Sequence, residues 1–205
     1  MLLTFEEGEG VGKTTLISSM QTYLIAKGHQ VLVTREPGGT ELGKKIRTIL
    51  LETKEIQLSK RAELFLFLAD RAQHVENVIN PFLKKGGIVL CDRFIDSTYA
   101  YQKESFEFND LFALNMFATM NLLPDKTFYL DLDPEEGMKR IQMDRKTPLD
   151  KMEKKGLSFH IKVRQQFLEL VELFPQRIIK IDASKSKLQV FEQVKEMIDT
   201  LLNQK

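Results

Sequence analysis

The stretch LTFEEGEGVGKTTL, residues 3–16, governs how the rest of the chain is read. A short apolar run leads into a glycine-rich loop that closes on Gly12-Lys13-Thr14, and an apolar pattern at helical spacing follows. Strand, loop and helix in that order are the setting of a phosphate-binding P-loop, whose usual pattern is G-x-x-x-x-G-K-[ST]. Gly8, Gly10 and Gly12 let backbone N–H groups approach an anion without interference from a Cβ. The expected phosphate cradle is therefore Gly8, Glu9, Gly10, Val11, Gly12, Lys13, Thr14 and Thr15. Lys13 can reach the β- and γ-phosphates, and the Thr14 hydroxyl is a hard oxygen suited to Mg²⁺. One position departs from the pattern. Counting back from Gly12, the first glycine belongs at position 7, where this chain has Glu. A carboxylate about 6 Å from a phosphate charge costs roughly 3 kcal/mol at an effective dielectric near 20. The expectation is that the Glu7 side chain turns away from the phosphates while Gly8 absorbs the backbone adjustment.

Outward from this loop, apolar runs alternate with helical patterns. LLTF (2–5), VLVT (31–34), IVLCD (88–92), TFYLDL (127–132) and RIIKID (177–182) read as strands. Leu16, Ile17, Met20 and Leu24 recur at helical spacing, and Gly28 ends that helix. Thr40 is a candidate N-cap for a helix with Leu42, Ile46, Ile49 and Leu50 on its apolar face. Leu64, Leu68, Val75, Ile79 and Phe82 mark a long helix stopping near Lys84-Lys85-Gly86-Gly87. A further helix is expected after Asn109, and a last one faces the core with Phe191, Val194, Ile198 and Leu201. Continuous apolar strands alternating with helices imply an α/β fold with a five-stranded parallel sheet covered on both faces, a P-loop three-layer sandwich. Ligands of such sheets bind beyond the carboxyl ends of the strands. The loop at 7–15, Arg35-Glu36-Pro37 and Asp92-Arg93 all lie there. Between Arg140 and Lys162 the chain is polar and broken by Thr147-Pro148 and Gly156, which reads as a helical lid over the phosphates. The whole chain, 1–205, reads as one domain with its lid at about 140–162.

Composition sets limits on function. Thirty Lys and Arg balance 29 Asp and Glu, for a net charge of +1, so no bulk basicity points to nucleic acid or a membrane surface. Cys91 is the single cysteine, which excludes an intramolecular disulfide and fits a reducing compartment. No stretch reads as a signal peptide or reaches transmembrane length, and the chain is expected to be cytoplasmic. His29, His74 and His160 show no metal-ligand spacing. Asp92 ends an apolar strand, as a carboxylate near Mg²⁺ does, and Arg93 beside it can hold a phosphate bidentately. Asp131 and Asp133 read as a strand end and a helix start, and Cys91 as core.

Three further motifs follow the P-loop: TREPGGT (34–40), FLADRAQH (67–74) and DRFIDSTYAYQ (92–102), with LDKME (149–153) beyond them. On these motifs the chain resembles the thymidylate kinases, ATP-dependent nucleoside monophosphate kinases that act on dTMP. The resemblance implies ATP and dTMP as substrates, Mg²⁺ as cofactor and a homodimer, formed through apolar helix faces such as that around Phe112–Phe117. It implies that Lys13, Arg93 and Arg145 are catalytic, with Arg145 the lid arginine, and that Thr14 and Asp92 serve the metal. For the acceptor it implies Glu9 at the sugar hydroxyl, Phe67 stacked on the base and Arg71 at a base carbonyl. Pro37 and Thr98 would border the base, Tyr101 and Gln102 the sugar, and Arg47 and Arg93 the phosphate. Lys151 stands where the family's lid usually carries arginine, a point charge in place of a planar fork. A GTP-binding switch is disfavoured because no N-K-x-D motif is found. A P-loop kinase for another acceptor, and a nucleotide-binding protein impaired by Glu7, remain the alternatives.

Overall fold

Strands form where the apolar runs are continuous. They are β1 (Leu2–Glu7), β2 (Val31–Arg35), β3 (Ile88–Asp92), β4 (Lys126–Asp131) and β5 (Ile178–Asp182), all paired parallel in the order β2-β3-β1-β4-β5. The computed structural model describes residues 1–8, 10–53, 56–144 and 155–203. Glu9, Arg145 and Lys151, and with them the middle of the expected lid, lie outside the described residues.

Helices cover both faces of the sheet. On one face, α1 (Lys13–Ala26) and, at the end of the chain, Lys187–Asn203 set Leu16, Met20, Leu24, Val194 and Ile198 against Leu3, Phe5, Leu90, Phe128 and Ile181. After α2 (Glu41–Arg47), the other face receives α3 (Lys60–His74) and its continuation through α4 (Asn80–Lys84). It also receives α5 (Ile95–Gln102), α6 (Phe108–Thr119) and, beyond α7 (Pro134–Asp144), α8 (Leu157–Leu173); the final helix is then α9. Leu64, Leu68, Tyr99, Leu111, Tyr129 and Phe167 pack together there, as do Leu2, Val75, Ile79, Val89 and Phe94. Side chains alternate along a strand, so Leu3, Phe5 and Glu7 face α1 while Leu2, Thr4 and Glu6 face α5. The same parity in β3 sends Ile88, Leu90 and Asp92 toward α1.

Local signals account for most boundaries. Thr40 caps α2 by accepting from the Gly43 N–H at 2.9 Å, and Ser59 caps α3 through the Ala62 N–H at 3.3 Å. Gly28, with φ 88°, ends α1 in the left-handed region. The long helix passes through a wider turn at Val75–Ile79 just before Pro81, which lacks the N–H that the regular ladder needs. One expectation is corrected, and one open segment gains a conformation. Leu42 is 46% exposed, because Gly43 and Ile46 form the inward side of α2. The segment 95–102, read as a motif without an assigned conformation, is the separate helix α5.

Candidate active site

The P-loop keeps its shape through glycines. Gly10 and Gly12 have φ 76° and 85°, left-handed values that a side chain disfavours. Gly10 is further required because a Cβ there would strike the Gly137 carbonyl of α7. Gly12 occupies the N-cap of α1 without a side-chain cap, and the first turn carries no acidic residue. The orphan N–H groups of that turn, with the positive end of the helix dipole, suit a phosphate. Thr14 and Thr15 are exposed at this point.

Lys13 is only 4% exposed, and its Nζ lies 2.5 Å from Asp92 Oδ1 and 3.3 Å from Glu7 Oε1. The Glu7 carboxylate therefore faces the lysine of the loop, contrary to the expectation that it turns away from the phosphate site. The reason is strand parity. Without glycine at position 7, β1 runs through Glu7, paired with Leu130, and residue 7 takes the α1 side along with Leu3 and Phe5.

A single cavity of about 760 Å³ extends from this loop to Phe67, Arg71 and Gln102. Its wall brings together Gly10, Val11, Gly12, Lys13, Thr14, Thr15, Pro37, Arg47, Phe67, Arg71, Asp92, Arg93, Thr98, Tyr101 and Gln102. Gly8 is not on the wall, and Glu9 and Arg145 lie outside the described residues. The cavity sits beyond the carboxyl ends of β1, β2, β3 and β5, the place where the strand order leaves room for a ligand.

The side of the cavity around Pro37 and Arg71 is held by a buried polar network. The Glu36–Pro37 peptide is cis, and Arg47 Nη1 donates to the Pro37 carbonyl at 3.1 Å. Glu36 Oε2 accepts from Arg71 Nε at 2.7 Å, and Oε1 meets His74 Nδ1 at 2.9 Å. His74 Nε2 reaches Thr34 Oγ1 at 2.6 Å. Arg71 also donates through Nη1 to Thr98 at 2.5 Å and to Asn115 Oδ1, and through Nη2 to the Phe94 carbonyl at 3.0 Å. Four of the five guanidinium hydrogens are thus engaged by the described residues, leaving one on Nη2. Gln102 turns its amide toward Glu63 at 3.0 Å. Gly39 lies so close to His74 that no side chain fits between them.

Arg93 has φ 67°, a left-handed value for a residue with a Cβ. Bonds on both sides hold it. Its N–H donates to the Phe5 carbonyl at 3.0 Å, and its Nη1 donates to the Glu7 carbonyl at 3.2 Å and to the Tyr101 hydroxyl at 3.0 Å. This conformation turns the guanidinium across the strand ends, between the P-loop and Tyr101.

Charge is distributed unevenly beneath the loop. Burial alone would raise the Asp92 carboxyl, but Lys13 and Arg93 outweigh it and hold the group below its usual value. Glu6, on the opposite face of β1, is fully buried. Its Oε1 accepts from the Phe94 N–H at 2.7 Å, and its Oε2 meets the Ser97 hydroxyl at 2.5 Å. Burial, and then the charge of Asp96, raise its pKa from 4.5 to about 7. Folded Glu6 holds its proton where unfolded Glu6 has lost it, so its contribution to stability is complete below pH 4.5 and is lost as pH rises through about 7. A difference of this size corresponds to about 3 kcal/mol. Glu6→Gln keeps an acceptor for Phe94 and cannot ionise. Its melting temperature relative to the parent chain is expected to climb from pH 5 and to level off above about pH 7. A difference that stays flat over this range would contradict the assignment.

Sequence reasoning missed part of the wall. Ala183, Lys185, Lys187 and Val190 line the cavity just beyond β5 and at the start of α9, and Arg140 and Ile141 approach from α7. The signal was available, since residues 183–187 directly follow a strand whose carboxyl end was known.

The comparisons with known proteins agree with one another. A family model described as Thymidylate kinase matches residues 5–194. A thymidylate kinase of Geobacillus sp. (strain WCH70) is 42% identical over 190 residues, 92% of this chain and 90% of that protein. One from Acholeplasma laidlawii is 44% identical, covering 91% of this chain and 92% of its own. One from Protochlamydia amoebophila is 44% identical, covering 96% and 91%.

Proposed function

We propose a reaction from one premise: the chain belongs to the thymidylate kinase family. It is an ATP-dependent nucleoside monophosphate kinase that moves the γ-phosphoryl of ATP to dTMP, forming dTDP and ADP. The observation that carries this reading at the level of geometry is the single cavity joining the P-loop to Phe67, Arg71 and Tyr101, so that donor and acceptor meet in one space.

The acceptor is a phosphate monoester whose second pKa is near 6, mostly a dianion at neutral pH. One of its oxygens attacks the γ-phosphorus as the bond to the β,γ-bridging oxygen breaks, and ADP leaves with that oxygen. No general base is needed. The protein has to align two anions and neutralise charge between them. Lys13 and the first turn of α1 hold the donor phosphates. Arg93, fixed between the loop and Tyr101, faces the acceptor phosphate, with Arg47 beside it. Phe67 offers a face to the base, and the remaining Nη2 hydrogen of Arg71 is a donor for a base carbonyl. The family resemblance adds Arg145, outside the described residues, to this set.

The donor set also suits Mg²⁺. Thr14 offers an exposed hydroxyl, and Asp92, on the same cavity wall, is a carboxylate that Lys13 and Arg93 hold below its usual pKa. Among the described residues no group of three or more His, Cys, Asp or Glu could enclose a metal. That fits an ion carried in on nucleotide phosphates with its own waters, which would neutralise charge on those oxygens.

Apolar exposure on α6 supports a homodimer. Phe117 is 88% exposed, with Phe112 on the same helix and Phe65 exposed on α3. No helix among the described residues is long and apolar enough to cross a membrane, and the single buried Cys91 supports a cytoplasmic location.

ADP release from ATP and Mg²⁺, compared across dTMP, dUMP, other nucleoside monophosphates and thymidine, tests the reading. Turnover is expected mainly with dTMP. Some dUMP activity is expected as well, because one methyl group in an apolar pocket is worth only about 1–3 kcal/mol. Preference for a nucleoside, or for a purine monophosphate, would replace the proposal.

A further inference from the structure

We propose that the Glu7 carboxylate competes with the donor's phosphates for Lys13, and so sets the affinity of the donor site and its preference for magnesium-bound over free nucleotide. The inference rests on the phosphoryl-transfer reading of that site.

Three observations place the competitor. Glu7 Oε1 is 3.3 Å from Lys13 Nζ, and both side chains are largely removed from water. Solvent therefore screens their interaction poorly. The backbone of residue 7 is pinned, paired with Leu130 of β4 and accepting from Arg93 Nη1 at 3.2 Å, so the carboxylate stays on the α1 side. Lys13 is already paired with Asp92 at 2.5 Å. Among the described residues its single positive charge thus faces two carboxylates before a nucleotide arrives, where glycine at position 7 would leave one.

An incoming phosphate must share Lys13 with Glu7 or draw it away. Either way the site loses affinity for anions, and the loss grows with the charge of the ligand. Free nucleotide suffers most. Magnesium cancels two of the nucleotide's charges, so its complex suffers less. The acceptor monophosphate, held by arginines at the other end of the cavity, should be little affected.

Titration calorimetry on the full chain provides the test, with ADP and dTMP as titrants and ADP measured both without and with magnesium. Glu7→Gln keeps the shape and removes the charge; Glu7→Gly restores the usual pattern. Both variants are expected to bind free ADP at least about tenfold more tightly than the parent chain, which is about 1.4 kcal/mol. The gain should be smaller with magnesium, and dTMP affinity should change less than about twofold. Equal or weaker ADP binding by Glu7→Gln overturns the proposal. A weakening confined to the magnesium complex also overturns it, since Glu7 would then be serving the metal. Turnover with dTMP in the same preparations keeps the two readings apart. Intact turnover with unchanged ADP affinity removes only the competition, whereas no turnover in any of the three chains removes the kinase reading.

Discussion

Replacing Lys13 by Met is expected to lower kcat by about a thousandfold or more, the scale seen when a charged group that stabilises a transition state is removed. Lys13 is the first residue of α1, its ammonium sits at the strand ends, and it is 4% exposed. On the proposed role, its charge would act on the moving phosphoryl group with little competition from water. The substitution also leaves Glu7 and Asp92 facing the same space without the cation between them, so repulsion adds to the loss. Asp92 would then rise from its depressed pKa, since Lys13 is the largest influence holding it down against burial. Single-turnover rates with saturating ATP and dTMP would measure the effect apart from product release. Circular dichroism on the same samples would confirm that the variant is folded. A kcat within tenfold of the parent would mean that Lys13 holds the loop together and does not act on the phosphoryl group.

Stability is expected to suffer most at Arg71. The guanidinium is 2% exposed and is bonded to Glu36, Thr98, Asn115 and the Phe94 carbonyl. Arg71→Met fills similar space but strands the Glu36 carboxylate, itself 4% exposed, with His74 as its remaining partner in this network. Removing one member of a buried ion pair costs about 3–5 kcal/mol, because the other charge is left without water or partner. For a chain of this size that corresponds to a fall in melting temperature of roughly 10 °C. Arg71→Lys should recover only part of the loss, since an ammonium cannot span acceptors on α5, on α6, at the Phe94 carbonyl before α5 and in the turn at Glu36 at once. Urea unfolding of the three proteins checks the order. A cost below about 1 kcal/mol for Arg71→Met would show that the network is dispensable for folding, leaving Arg71 a role in ligand binding alone.

The two substitutions separate what can be read along the chain from what cannot. All five strands and the P-loop were legible in the sequence because their signals are local: continuous apolar runs, helical spacing, and glycines before a lysine. The placement of Pro37, Phe67, Arg71, Thr98 and Tyr101 around one cavity was legible through motifs whose order matched a known family. The direction of Glu7 was not. It depends on how far β1 continues, and the strand read from the sequence as 2–5 runs two residues further, to Glu7. Nor was the partnership of Arg71 legible. Glu36 and His74 are 38 residues apart in sequence, and nothing in either segment alone announces the other. Periodicity reports which face of an element is apolar. It does not report which buried charges meet, because that depends on how separate elements dock and on the need for each buried ion to find its partner. In this chain the amino-acid order was enough to specify the sheet, the loop and the chemistry, while the packing of β1 and β3 against α1 brought a second carboxylate to the lysine of the loop.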